Sequence, residues 1–89
     1  MFRISFSSHG DRSFNKMPQD IQQRTIQALE SLANDAFWYR RVKKLQGTED
    51  QYRFRTGRWR VLFVFQGDGI EILDIFLRKE RSDYRRRLF

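Results

Sequence analysis

Residues 2–7 alternate Phe2, Ile4 and Phe6 with Arg3, Ser5 and Ser7, the period of a half-buried strand. Residues 8–16 then predict a short helix capped by Ser7 or Ser8, with Phe14 and Met17 as its apolar face and Gly10 weakening it. Pro18 stands where a first helical turn tolerates proline, and Ile21, Thr25, Ala28, Leu29 and Leu32 follow at helical spacing. That helix runs over about 18–34 and ends near Asn34-Asp35. Residues 36–51 read as a connector, with Phe37, Trp38, Tyr39, Val42 and Leu45 turned inward and Arg40, Arg41, Lys43 and Lys44 outward. Strands are expected at about 51–56, 58–66 and 70–78, the last two joined by a turn at Gly67-Asp68-Gly69. Residues 81–88 can form a terminal helix.

Strand parity assigns faces to this meander. Tyr52, Phe54, Trp59, Val61, Phe63, Phe65, Ile70, Ile72 and Phe76 share one face, which should pack on the helices. Asp74 falls there too and needs a polar partner. The other face carries Arg53, Arg55, Arg58 and Arg60 at one end, and Leu62, Val64, Leu73, Ile75 and Leu77 further along. The expected fold is α+β, two N-terminal helices on a small antiparallel sheet, in the order β-α-α-β-β-β with a short C-terminal helix. If Thr56-Gly57 is a two-residue loop, Arg55 opposes Arg58 and Arg53 opposes Arg60. Like charges so placed repel, and an anion such as phosphate resolves the conflict better than four guanidinium groups splayed into water. Arg78, Lys79, Arg81 and Tyr84, at the end of the last strand, can approach the same patch.

Eighty-nine residues with 39% hydrophobic and 16% aromatic content suffice for one small domain over 1–89 and its single core. The formal net charge of +7 favours nucleic acid, an acidic protein or an anionic surface as partner. No segment has the length and apolarity of a signal peptide or membrane span, so a cytoplasmic protein without membrane contact is expected. The absence of cysteine excludes thiolate chemistry. With His9 the only histidine, and Glu71 and Asp74 on opposite strand faces, neither a metal nor another cofactor is expected. His9 reads as a surface residue at a helix start, and Trp59 as core rather than a stacking platform.

An ordered set of segments resembles the RelE/ParE superfamily of type II toxin–antitoxin toxins, and its RelE branch more closely. The set comprises the opening strand, Met17-Pro18 before the second helix, Lys44-Leu45-Gln46-Gly47, Tyr52-Arg53-Phe54-Arg55, Trp59-Arg60-Val61-Leu62-Phe63 and Arg78-Lys79-Glu80-Arg81-Ser82-Asp83-Tyr84. The resemblance implies a RelE-like fold and a metal-independent endoribonuclease that cuts mRNA in the ribosomal A site. It also implies neutralisation by a cognate antitoxin. By position, Arg53 and Arg55 match basic residues that grip or activate the RNA backbone, and Arg60 one that holds the scissile phosphate. Arg78 or Lys79 matches the residue that stabilises developing charge or protonates the leaving group. Tyr84 matches an aromatic residue that stacks on a base and is a candidate general base. The stretch from Arg78 to Tyr84 is one residue shorter than in RelE sequences, which leaves the choice between Arg78 and Lys79 open. Arginine also stands where lysine is common on the first hairpin strand, and it cannot readily exchange a proton. Proton transfer then falls to Tyr84, Lys79 or the ribosome.

Lys43, Lys44, Arg58, Arg81 and Arg85 are further candidates for contact with mRNA or rRNA, and Arg86 and Arg87 extend the basic run. The strip Leu62, Val64, Leu73, Ile75 and Leu77 is a candidate groove for an amphipathic antitoxin helix. Two other functions fit the chain: a ParE-like inhibitor of DNA gyrase on the same fold, and a non-catalytic module that binds RNA or protein.

Overall fold

A computed structural model describes residues 2–78. Strand β1 (Arg3–Phe6) leads into helix α1 (Ser8–Asn15) and helix α2 (Gln19–Ala33). A single 3-10 turn (Trp38–Arg40) precedes strands β2 (Val42–Lys44), β3 (Gln51–Thr56), β4 (Trp59–Gln66) and β5 (Gly69–Leu77). The five strands form one sheet in the order β1-β5-β4-β3-β2. All neighbours are antiparallel except β1 and β5, which run parallel. The structure is thus α+β, with two helices on a sheet that has one strand more than the alternation suggests. That strand, β2, lies within the expected connector and pairs Lys43 with Arg53 and Lys44 with Tyr52. Three residues are too few to display an alternating pattern.

Each helix boundary has a local cause. The Ser7 hydroxyl accepts from Gly10 N–H at 3.0 Å and caps α1, and Ser7 N–H donates to the Ile72 carbonyl at 2.9 Å. One residue thereby starts the helix and fastens it to β5. Helix α2 starts behind Pro18, whose carbonyl accepts from Gln22 N–H, and stops at Asn34, whose side chain donates to the Glu30 carbonyl. Leu29 and Leu32 of α2 are wholly buried against Phe54, Val61, Phe63, Ile70 and Ile72. Burying each such side chain stabilises the fold by about 1.5–3 kcal/mol.

A β-bulge alters the facing of β5. Leu62 opposes Asp74 while Phe63 opposes Ile72, so Leu73 is the extra residue. Parity flips beyond it: Ile75 opposes Val61 and joins the main core, and Phe76 opposes Arg60. Phe76 groups with Leu45 and Leu62 in a second buried cluster. The expectation of Phe76 on the helix face and Ile75 and Leu77 on the other is therefore reversed, because an unbroken period cannot register an inserted residue. The proposed antitoxin strip shrinks accordingly. Leu62 is 0% exposed and Ile75 is buried, while Val64, Leu73 and Leu77 are half-buried.

Asp74, just past the bulge, accepts from Ser13 Oγ of α1 at 2.6 Å and from Ile75 N–H at 2.9 Å. His9 Nε2 lies 3.3 Å from the same oxygen, and the imidazole is about half exposed. The polar partners that a buried Asp74 requires thus come from α1. Among residues 2–78 no helix is long and apolar enough to cross a membrane. The terminal helix expected at 81–88 lies outside the described residues.

Candidate nucleic-acid interface

The β3–β4 hairpin turns on Gly57, whose φ of +59° is the left-handed value that a side chain resists. Gly57 occupies the first central position of the turn and Arg58 the second, where φ is not positive. This is the arrangement of a II′ turn. Thr56 therefore pairs with Trp59, Arg55 with Arg60 and Arg53 with Leu62. The expected Arg55–Arg58 and Arg53–Arg60 pairs do not form, because the loop is Gly57-Arg58 rather than Thr56-Gly57. The two-residue change in partner keeps every side chain on its assigned face and moves Arg58 into the turn.

Two like-charged pairs now lie side by side across β2, β3 and β4: Lys43 opposite Arg53, and Arg55 opposite Arg60. Cβ atoms of opposed residues in an antiparallel pair are about 4.5–5.5 Å apart, where like charges destabilise the sheet. Arg55, Arg58 and Arg60 have no carboxylate partner among the described residues. Arg60 is only 9% exposed, contrary to the solvent-facing position expected from parity, which reports a face and not a depth. Its Nη1 donates to the carbonyls of Gly57 and Trp59, each at 3.0 Å, so the guanidinium is folded back to clamp the turn. Its buried Nε has no hydrogen-bond partner among the described residues.

Arg78 N–H donates to the Arg58 carbonyl at 3.2 Å, which brings the end of β5 alongside the hairpin turn. Residues distant in sequence (Arg53, Arg55, Arg58, Arg60 and Arg78) are therefore gathered at one end of the sheet. Lys43 joins them through β2, and exposed Lys44 lies next to it on the opposite face of that strand. Lys79, Arg81, Tyr84 and Arg85 lie outside the described residues, as do Arg86 and Arg87.

A cleft of about 420 Å³ opens beside this patch, lined by Arg40, Arg41, Lys43, Arg53 and Arg55 with Val42 and Phe54. Arg40 and Arg41 are not candidates on sequence grounds, where they read only as outward-facing residues of a connector. Only the pairing of β2 with β3 reveals that this run borders the hairpin arginines. Arg41 is held by Asp35, Nη1 to Oδ2 at 3.3 Å, and its guanidinium lies 5.5 Å from the Phe54 ring centre. The Phe37 N–H, donating to Asp35 at 2.8 Å, and the Arg41 charge hold the Asp35 carboxyl below its ordinary pKa. Phe37 and Tyr39, expected to tuck inward, are each 54% exposed. Of the three consecutive aromatics, Trp38 alone packs on the core, meeting Phe2 and Phe65.

An arrangement of fixed, always-charged donors around an open cleft can bind phosphate oxygens and stabilise charge building up on them. It cannot itself remove a proton from a nucleophile.

No family model matches the sequence, and no curated protein matches it significantly. Solved structures do match. The toxin–antitoxin complex RelBE2 from Mycobacterium tuberculosis aligns at a TM-score of 0.75 and 20% identity, over 89% of this chain and 93% of the other. The isolated E. coli RelE toxin aligns at 0.72 and 11% identity, over 97% and 94%. The RelB–RelE antitoxin–toxin complex from Methanococcus jannaschii aligns at 0.68 and 24% identity, over 90% and 96%. Similarities of this size speak for the fold: this chain, two helices on a five-stranded sheet with one parallel edge pair, has the RelE fold.

Proposed function

We propose that the chain is the toxin of a type II toxin–antitoxin pair and cuts mRNA in the ribosomal A site. The observation that carries this reading is the convergence of Arg53, Arg55 and Arg60 on one sheet face, with Arg78 tied to the hairpin turn. The RelE fold supports it, since the similar structures include a toxin and toxin–antitoxin complexes.

The reaction is attack of a ribose 2′-oxygen on the adjacent phosphorus, with departure of the 5′-oxygen in line. It yields a 2′,3′-cyclic phosphate and a 5′-hydroxyl. Negative charge grows on the non-bridging oxygens, where guanidinium forks match it in shape and sign. Arg60 is the candidate for the scissile phosphate carried by the resemblance; both Nη1 protons are taken by the Gly57 and Trp59 carbonyls, so it would reach a phosphate oxygen through Nη2. Arg53 and Arg55 grip the flanking backbone. The proton of the 2′-hydroxyl must go to a group other than an arginine, for which the resemblance offers Tyr84, and the departing 5′-oxygen takes up a proton from Lys79 or the ribosome, with Arg78 the alternative for stabilising its charge. Lys43, Lys44 and Arg58 add contacts to the ribosome or message, as do Arg81 and Arg85.

The partner that restrains this activity is a cognate antitoxin whose acidic residues cover the arginines, consistent with a net charge of +7. To test the activity, the protein is added to ribosomes carrying a defined message, and new 5′ ends are mapped. Cuts confined to the A-site codon are expected. Intact message together with inhibition of gyrase supercoiling would instead assign the ParE-like activity.

A further inference from the structure

Phe37 and Tyr39 expose more than half of their surface although each is large and apolar, and they lie beside the cationic cleft. Arg40 joins the two features. It lines the cleft, and its guanidinium carbon sits 4.7 Å from the Phe37 ring centre and 6.0 Å from that of Tyr39. The ring centres are 6.3 Å apart and the planes are inclined by 69°. Each ring therefore offers a face in a different direction, with a cation between them.

Sequence-tolerant binding of single-stranded nucleic acid requires this combination: cations that track the backbone and aromatic faces on which bases stack. We infer that Phe37, Arg40 and Tyr39 form a stacking platform for single-stranded RNA that continues the cleft lined by Arg53 and Arg55. An acidic peptide would neutralise the cations but offers no flat partner for two inclined rings. The platform rests on the nucleic-acid reading of the cleft and extends it, giving the site a hold on bases beside the phosphate-binding arginines.

The probe is a fluorescein-labelled ten-nucleotide uridine RNA, titrated with the full chain and followed by anisotropy across a salt series. The double variant Phe37→Leu, Tyr39→Leu keeps apolar bulk and removes both ring faces. It should bind roughly five- to hundredfold more weakly, with an unchanged salt slope. Arg40→Ala should lower the slope of log K against log salt by about 0.7, as for one lost cation. Both sites are exposed, and matching circular dichroism melts establish that the variants fold. Wild-type RNA affinity in the leucine variant would overturn the inference. So would a loss of affinity confined to a ten-residue polyglutamate peptide, which would assign the surface to a protein partner. The ribosome assay reads separately: uncut message with ring-dependent RNA binding defeats the proposed toxin activity alone, and cutting with ring-independent RNA binding defeats the platform alone.

Discussion

Gly10→Ala should destabilise the protein, although the same change in an exposed helix would stabilise it by about 1 kcal/mol through propensity. A Cβ at position 10 would lie 2.2 Å from the Ile72 carbonyl oxygen and 2.9 Å from its carbon. Both atoms are backbone, so no side-chain rotation relieves the contact. Even a weak C–H···O contact needs a carbon–oxygen distance of about 3.3–3.6 Å. Helix α1 must therefore move about 1 Å away from β5. That movement strains the Ser7 N–H bond to Ile72, 2.9 Å, and the Ser13 bond to Asp74, 2.6 Å. Overpacking of this kind costs about 1–3 kcal/mol and each weakened hydrogen bond about 1 kcal/mol more. Together they exceed the propensity gain of about 1 kcal/mol, for a net loss of about 2–4 kcal/mol. For a domain of this size each kcal/mol lowers Tm by about 4–8 °C. Urea and thermal unfolding followed by circular dichroism measure the change. An alanine variant as stable as the parent, or more so, would refute the close seating of α1 on the bulged strand. That seating matters for the site, because the bulge places Phe76 opposite Arg60 and precedes the segment that brings Arg78 to Arg58.

Three further expectations follow from the same geometry. Arg60→Ala should cost about 1–3 kcal/mol in urea unfolding, since it removes two charge-assisted bonds that clamp the turn; relief of repulsion with Arg55 offsets part of the loss. Leu62→Ala should cost about 2–5 kcal/mol by the same measurement, because its side chain is fully enclosed. Asp35→Asn should lower stability above the ordinary carboxyl pKa of 3.8, because the Phe37 N–H and Arg41 favour the ionised form in the folded state. The folded pKa is depressed, so the contribution is complete above 3.8 and disappears as pH falls through the lower folded value. Parent and variant should therefore converge in thermal scans at acid pH.

The elements with several turns or alternations are legible in the chain itself. The spacing of Ile21, Thr25, Ala28, Leu29 and Leu32 marks α2, and alternation marks β1, β3 and β4. The less legible features share a physical cause: each depends on a single local choice that periodicity does not encode. Gly57 sets the hairpin register because it alone in its turn takes positive φ, and it takes the first central position. Leu73 is inserted into β5 without a glycine or proline to mark the bulge. Strand β2 has one apolar residue, Val42, too little for a pattern, yet it carries Lys43 to Arg53. The hairpin arginines could be read from sequence as a cluster. That Arg40 and Arg41 line the same cleft follows only from tertiary pairing.

The central claim is that the arginines on the sheet stabilise charge in the cutting of RNA. It is tested most directly by single-turnover cleavage of an A-site message, comparing the parent with Arg55→Ala, whose side chain is exposed and outside the core. The parent should produce 2′,3′-cyclic phosphate and 5′-hydroxyl ends, and the variant should cut about 10²–10³ times more slowly with an unfolding midpoint no lower than the parent's, since repulsion with Arg60 is relieved. An intact message with the parent protein, or an Arg55→Ala variant that cuts at the parent's rate, would contradict the account.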